Sequence, residues 1–338
     1  MKKLFLILFI ASLTLQLKAQ NENINLIPYE NYPLWLSTNQ DRTEQTSGIA
    51  FIKSECDLDY FLLADDIGAI HLLTIKDDAI YKIEKVEFIE ETDDFFPSFP
   101  KMDFEEITYD KTTGEVYLSV EGNGENFNDY VGIYKLIFEN NNVLTKNVIS
   151  IVRIFYQPKD LFYKYTSWNI GYEGFALDNN YFYLGLEGFQ NNHQFADSSI
   201  IYIANKSDMK IVKQVSTKSL GIHTICGLFS DKNYSIWGVD RNSRKIFHIT
   251  FNQDFTIQDF FKFDCSTKIP GFADLNYLPS YESITLDDEN NLYLIDDPWK
   301  EMFVPANSIL EKLDEKTIKN FNEFIPTIFK YKIKTEGE

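Results

Sequence analysis

The sequence predicts an all-β protein, a five-bladed β-propeller of four-stranded antiparallel blades, on three observations. A short motif recurs five times along the chain, each time closing on an acidic residue. Aromatic residues make up 16% of the composition, with 29 Phe and 20 Tyr, a bias that favours strands. Long amphipathic helical patterns are scarce.

The motif is an inward strand followed by a hairpin partner. Ser47-Gly48-Ile49-Ala50 leads to Leu63-Ala64-Asp65, and Glu105-Glu106-Ile107-Thr108 to Ser119-Val120-Glu121. Glu173-Gly174-Phe175-Ala176 leads to Gly185-Leu186-Glu187, and Cys226-Gly227-Leu228-Phe229 to Gly238-Val239-Asp240. Glu282-Ser283-Ile284-Thr285 leads to Leu294-Ile295-Asp296. The anchors at 47, 105, 173, 226 and 282 are spaced by 58, 68, 53 and 56 residues. A four-strand unit at roughly that period is the signature of a propeller blade.

Taken in order, unit one runs Ser47–Ile52, Tyr60–Ala64, Ala69–Ile75 and Tyr81–Ile89. Unit two runs Glu106–Tyr109, Glu115–Val120, Gly132–Phe138 and Val143–Ile151. Unit three runs Gly174–Leu177, Tyr181–Leu186, Ile200–Ala204 and Lys210–Val215. Unit four runs Gly227–Ser230, Ser235–Val239, Lys245–Phe251 and Thr256–Phe263. Unit five holds Ser283–Leu286, Asn291–Ile295 and Ile328–Lys334, and lacks a fourth strand. The spare strand Ile24–Tyr29 completes it and closes the ring, and its Pro28 suits an edge position. A six-bladed ring would need a degenerate unit. Only the 68-residue interval has length to spare, and its segment Phe155–Tyr172 reads as loop.

Residues 1–19 are expected to be a secretory signal peptide, leaving 20–338 as one propeller domain. Lys2-Lys3 precede the apolar run Leu4–Leu15, and Leu17-Lys18-Ala19 offers a cleavage site before Gln20. An exported protein, periplasmic or extracellular, is the consequence. Removing the three signal lysines takes the formal charge from -19 to -22. That charge argues against nucleic acid and anionic lipid as partners. No later run is apolar and long enough to span a membrane. The expected partner is an unidentified small molecule or protein, and the expected state a monomer. The three cysteines, Cys56, Cys226 and Cys265, show no zinc spacing and leave at least one thiol unpaired.

Loop lengths point to one face. The first-to-second strand turns, such as Asp178-Asn179-Asn180 and Asp287-Asp288-Glu289-Asn290, are short hairpin chemistry. The connections at the other end are long: Glu90–Phe104, Val152–Tyr172, Gly122–Val131, Gly188–Ser199, Asp264–Tyr281 and Asp297–Thr327. The last holds an expected helix, Ser308 to Phe321, with Ser308 as N-cap. Grafted loops around a rigid scaffold are where sites form.

First strands line a propeller's channel, so Ser47, Glu105, Glu173, Cys226 and Glu282 converge on its axis. Converging carboxylates repel unless a cation or protons balance them. Oxygen ligands suit a hard ion, and the expected metal ligands are Ser47, Glu105, Glu173 and Glu282 around calcium. Either Glu105 or Glu106 is the inward residue of unit two. Cys226 is a poor calcium ligand that packs or leaves its place to water. A second acid ring, Asp65, Glu121, Glu187, Asp240 and Asp296, lies further out or turns into the mouth. Acids at strand ends also cap turns, which is the plain alternative for each one. Arg241 is a possible ligand contact, with a salt bridge as its plain alternative. His71 and His248 fall in third strands as structural residues. His193 and His223 fall near the long-loop face. Lys159, Lys164, Tyr163, Tyr165 and Trp168 enrich one linker in groups that could hold a ligand or cover the channel. No nucleophile elbow, phosphate loop or metalloprotease helix is present.

These motifs resemble the secreted propellers grouped as SdiA-regulated and esterase-like phytase-like proteins. The strands around Glu105, Glu173 and Glu282 resemble their Glu-Gly-aliphatic-Ala repeat, and Asp65-Asp66-Ile67-Gly68-Ala69-Ile70 the turn that follows. A more distant likeness is to calcium-dependent apyrases. Their axial ring draws Ser, Glu, Glu, Ser, Glu from successive blades, against Ser47, Glu105, Glu173, Cys226 and Glu282 here. The resemblance implies a five-bladed fold with axial calcium. It does not carry over nucleotidase activity, since Glu187-Gly188-Phe189-Gln190 stands where the apyrases have an Arg pair. A calcium-dependent phosphoesterase is the alternative to a binding protein.

Overall fold

The computed structural model describes residues 24–89, 92–191, 194–265, 267–297 and 305–335. Residues 1–19, expected from the sequence to be a signal peptide, and His193 lie outside the described residues. Five antiparallel blades form a ring, each pairing its strands in chain order from the axis outward. Blade 1 is Thr46–Glu55, Leu58–Asp65, Ala69–Lys76 and Ala79–Lys85. Blade 2 is Phe104–Asp110, Glu115–Val120, Gly132–Phe138 and Asn147–Ile154. Blade 3 is Gly174–Leu177, Tyr181–Gly185, Ile200–Asn205 and Ile211–Ser216. Blade 4 is Gly227–Lys232, Ser235–Asp240, Lys245–Phe251 and Ile257–Phe263. Blade 5 is Tyr281–Leu286, Asn291–Asp296 and Thr327–Thr335, with Ile24–Pro28 as its fourth strand.

That N-terminal strand closes the ring as the spare strand predicts. It runs antiparallel to Thr327–Thr335, with Ile24 opposite Thr335 and Pro28 opposite Tyr331. As the outermost strand it can carry a residue with no N–H to donate.

Apolar packing repeats the count. Among the described residues, buried side chains fall into five clusters, one between each pair of neighbouring blades. The cluster joining blade 5 to blade 1 sets aromatic rings among aliphatic side chains. Phe61 meets Phe51 at 5.3 Å and Tyr293 at 4.9 Å between ring centroids. Burying a side chain like Phe61 stabilises the fold by roughly 1.5–3 kcal/mol, so each interface contributes heavily to closure.

Three local expectations are corrected. The outer strand of blade 2 starts at Asn147, not Val143. Residues Val143–Thr145 form a 3-10 turn instead, since the Asn142 side chain accepts from the Leu144 N–H and Lys146 takes a left-handed φ of 60°. The last strand of blade 1 ends at Lys85. Beyond it Glu87–Phe88 crosses over and pairs in parallel with the edge of blade 2. The expected helix from Ser308 to Phe321 is two helices, Asn307–Leu310 and Glu315–Asn322. The second is capped by Asp314, which accepts from the Thr317 N–H at 2.7 Å. The break between them lets Leu313 pack into the core between blades 4 and 5. Among the described residues no helix is long and apolar enough to cross a membrane.

Candidate functional site

The long-loop end of the axis carries two concentric rings of side chains. The inner ring comes from the starts of the first strands. In blades 1, 2 and 5 the pairing register slips by one residue there. Thr46 faces Asp65 and Gly48 faces Ala64; Phe104 faces Val120 and Ile107 faces Leu118; Tyr281 faces Asp296 and Ser283 faces Ile295. Each slip is a β-bulge, the device that re-aims a side chain at a strand end. The bulges hold Ser47, Glu105 with Glu106, and Glu282. In blades 3 and 4, Glu173 and Cys226 immediately precede the first strand.

The choice between Glu105 and Glu106 resolves into two different jobs. Glu106 crosses the axis beneath the rings. Its Oε1 accepts from the Ser283 hydroxyl at 2.6 Å and from its neighbour Ile107 N–H at 3.1 Å. Its Oε2 accepts from the Leu228 N–H at 3.2 Å. Ser283 in turn accepts from the Ile49 N–H at 3.1 Å. One buried carboxyl thus ties blades 1, 2, 4 and 5 together as a floor. The backbone approaches closely at this level: a Cβ on Gly227 would stand 2.6 Å from Ser283 Cα. Glu105 faces outward to the mouth. Burial first, and repulsion from Glu173 second, push its carboxyl well above the ordinary range.

The outer ring separates by side-chain length. Asp65, Asp240 and Asp296 turn back to their own loops. Asp65 accepts from Glu44 N–H and the Thr46 hydroxyl. Asp240 accepts from the His223, Thr224 and Ser243 N–H groups. Asp296 accepts from Thr327 N–H at 2.7 Å and the Tyr277 hydroxyl at 2.5 Å. In these blades the next residue belongs to the mouth: Asp66, Arg241 and Asp297. Glu121 and Glu187 are one methylene longer and enter the mouth themselves. Each is followed by glycine, and a Cβ on Gly122 would come within 2.3 Å of Phe127 O. The sequence signal is therefore Asp-Asp, Glu-Gly, Glu-Gly, Asp-Arg, Asp-Asp around the ring. It is readable along the chain, but only with the register known. Asp103, from the linker before blade 2, completes the group and is ion-paired with Lys101.

Eight carboxyl groups stand in or around the mouth (Asp66, Asp103, Glu105, Glu121, Glu173, Glu187, Glu282, Asp297), with Arg241 and Lys101 as the paired cations. Arg241 donates to Glu282 and to Glu187, both at 2.7 Å, and lies 3.8 Å from Glu173. The remaining charge is unbalanced. Burial, then repulsion from Glu187, hold the Glu173 carboxyl well above its usual range against the pull of Arg241. Burial and the Glu173 charge do the same to Glu121. Burial lifts Glu187 to about 8 and Asp66 to about 7, against Arg241 and Lys101 respectively.

The donor sets fit a hard cation. Ligand atoms of Asp103, Glu105 and Glu121 lie within 4.8 Å of one another, as do those of Glu121, Glu173 and Glu187. Glu121 is 2% exposed and Glu173 7% exposed, yet Glu121 Oε1 and Glu173 Oε2 accept no hydrogen bond. A buried oxygen without a donor is costly, which an ion would relieve. The third set, Glu173, Cys226 and Glu282, holds a thiol that burial pushes well up, and it is the set that Arg241 faces. Ser47 donates to Gln45 O at 3.3 Å. Glu282 also accepts from the Ser280 hydroxyl at 2.7 Å.

Among the described residues, the remaining candidates make local contacts. His71 lies 3.3 Å from Asp65, and His248 bonds the Ser235 hydroxyl at 2.8 Å while stacking on Trp237. His223 contributes its backbone N–H to Asp240. In the linker, Tyr163 meets Arg153 and Lys164 lies over the Tyr165 ring, while Trp168 is left 63% exposed.

No protein-family model matches the sequence, and no curated protein matches it. Solved structures do resemble it. The PQQ-bound form of aldose sugar dehydrogenase from Streptomyces coelicolor is 9% identical, with 93% of this chain and 99% of that one covered at a TM-score of 0.48. A luciferin-regenerating enzyme is 13% identical, with 87% and 79% covered at 0.43. A glucose dehydrogenase is 11% identical, with 88% and 98% covered at 0.43. At these identities the likeness concerns the fold and transfers no activity.

Proposed function

We propose that this chain is an exported calcium-binding propeller of the SdiA-regulated, phytase-like kind, which binds a ligand or partner on its long-loop face. The observation that carries the metal is the pair of buried, donor-free oxygens on Glu121 and Glu173 among neighbouring carboxylates. Glu105, Glu121 and Glu173 would hold the ion, with Asp103 beside them. Ser47 and Glu282, expected from the sequence as ligands, are engaged elsewhere, Ser47 on Gln45 O and Glu282 on Arg241 and the Ser280 hydroxyl. Calcium would supply positive charge to a group of acids that otherwise must stay protonated or repel. A binding role suits the mouth better than phosphoester hydrolysis. A phosphate would need free cations, and Arg241 is committed to Glu187 and Glu282.

Calcium titration against thermal unfolding tests the reading. An ion that binds only the native state stabilises it by about 2.7 kcal/mol at 100 times its dissociation constant. We expect a melting temperature several degrees higher in calcium than in chelator. An unchanged melting temperature at millimolar calcium, with no heat of binding, would overturn it.

A further inference from the structure

The mouth already contains two cations, Lys101 paired with Asp103 at its edge and Arg241 across the inner ring. Arg241 directly follows the strand Ser235–Asp240, and Asp240 is held by the loop amides of His223 and Thr224. With its neighbour turned away, the Arg241 side chain extends across the ring from blade 4. Its two terminal nitrogens reach blade 3, at Glu187, and blade 5, at Glu282, each at 2.7 Å. It stands 3.8 Å from Glu173. The ligand atoms of Glu173, Cys226 and Glu282, from three successive blades, lie within 4.8 Å of one another. This is the part of the inner ring that faces the guanidinium. The acids of blade 2, Glu105 and Glu121, make no ion pair with Arg241.

We propose that Arg241 is the protein's own resident cation in the inner ring. A divalent ion is therefore held to one side, by Glu105, Glu121 and Glu173, and the seat at Glu173, Cys226 and Glu282 opens to a second ion only when Arg241 is removed. This rests on the metal-binding reading above, since it divides one acidic mouth between a guanidinium and an ion. The physical case is a competition for the same carboxylates. A guanidinium that donates one charge-assisted hydrogen bond to each of two buried acids is a strong and directional contact. A divalent ion in the same ring would sit close to that fixed positive charge. The blade 2 side offers the opposite balance, with donor-free oxygens on Glu121 and Glu173. The vacated seat would also differ in kind. It includes the Cys226 thiol, and soft ions take thiolate ligands where calcium does not.

The test counts ions in the whole protein. Metal-free wild type and R241M, both in a C56S background because Cys56 is an exposed thiol that would itself take cadmium, are titrated with calcium and, separately, with cadmium, and bound ions per chain are measured after equilibrium dialysis. We expect one ion in the wild type and one more in R241M. Only in the variant should cadmium raise an ultraviolet thiolate-to-metal band, and C226S in the R241M background should abolish that band. Equal stoichiometry in wild type and R241M would overturn the assignment of Arg241. So would a cadmium–thiolate band in the wild type at one equivalent. No ion in the wild type but one in R241M would sink the metal-binding reading while sustaining the role of Arg241. If R241M does not fold, R241Q serves instead, because its neutral amide can keep a hydrogen bond to the ring without the charge. A cadmium-induced rise in melting temperature larger than that of the wild type then supports the proposal, and an equal rise overturns it.

Discussion

The two ends of the propeller axis are both rich in acids, and they use them in opposite ways. At the hairpin end, a cavity of about 530 Å³ is lined by Asp110, Asp178 and Asp287 among other turn residues. Every one of those three carboxylates is spoken for. Asp178 accepts from the Asn180 and Tyr181 N–H groups and the Tyr183 hydroxyl. Asp287 accepts from the Glu289 and Asn291 N–H groups and the Asn291 amide. Asp110 accepts from Thr112 N–H and pairs with Lys206 at 2.7 Å. At the mouth, Glu121, Glu173 and Asp297 are as deeply buried and keep donor-free oxygens. The difference teaches that acid count does not mark a site here. What marks it is a buried carboxylate with one oxygen that the fold leaves without a donor.

The largest effect should come from the floor that divides the two ends. Glu106→Ala removes the acceptor for Ser283 and Leu228 and leaves a cavity on the axis. Each orphaned buried donor costs about 1–3 kcal/mol, so a loss of several kcal/mol is expected in urea unfolding. A loss below about 1 kcal/mol would mean that Glu106 does not tie the blades together. Next in size is the contrast between the ends themselves. Glu173→Gln should weaken calcium binding at least about tenfold, or 1.4 kcal/mol, with little loss of metal-free stability. Asp287→Asn should do the reverse, costing about 1–3 kcal/mol of stability by misplacing acceptors, with calcium affinity kept. Calorimetric titration with urea unfolding of both variants decides it. Equal behaviour of the two would erase the distinction.

How much of this was legible before the structure depends on periodicity. The five units, their hairpins and the closing strand Ile24–Pro28 follow from alternation and spacing, since each blade must bury both faces of its sheet. The inner ring followed as well, because strand starts are set by the same repeat. The outer ring did not follow. Whether an acid caps a loop or enters the mouth turns on one methylene and on the next residue. So the sequence groups Asp65, Asp240 and Asp296 with Glu121 and Glu187, and does not single out Asp66 or Asp297 as residues of the mouth. Bulges are likewise invisible to a period of two, which is why Glu105 and Glu106 stand as alternatives in the sequence when one turns to the mouth and the other forms the floor. Arg241 was visible as a rare arginine at the mouth, but its reach to two other blades required the ring.

A smaller effect follows from protons. Burial holds Asp66 at about 7 and Asp296 at about 6, against ordinary values near 3.8. An acid whose folded value is raised binds its proton more tightly in the native state. Its contribution is complete below the unfolded value and is lost as pH rises through the folded one. The melting temperature in chelator should therefore fall between about pH 4 and pH 7 on account of these groups, the reverse of ordinary acid denaturation. Asp66→Asn, neutral throughout, should flatten the upper part of that slope. A slope unchanged in this variant would remove Asp66 from the balance. Asp110 at the hairpin end contributes no such slope, because Lys206 and Thr112 hold it below its usual range despite burial.

The smallest effect should come from the cation at the hairpin end. Lys111 bridges to Asp288 at 2.6 Å, linking blades 2 and 5 much as Arg241 links blades 3 and 5. The geometry is comparable and the surroundings are not. Lys111 and Asp288 side chains are 40% and 62% exposed, whereas the Arg241 partners Glu187 and Glu282 are 5% and 9% exposed. Water and salt screen the outer pair, so its worth is about 0–1 kcal/mol. Lys111 also lies over the Phe51 ring at 4.4 Å, a contact whose apolar part a methionine stem retains. Lys111→Met should thus shift the melting temperature by no more than about a degree or two and leave calcium affinity untouched. A several-fold change in calcium affinity would mean that the Glu106 floor transmits between the ends, and the two halves of the channel would have to be treated as one coupled site.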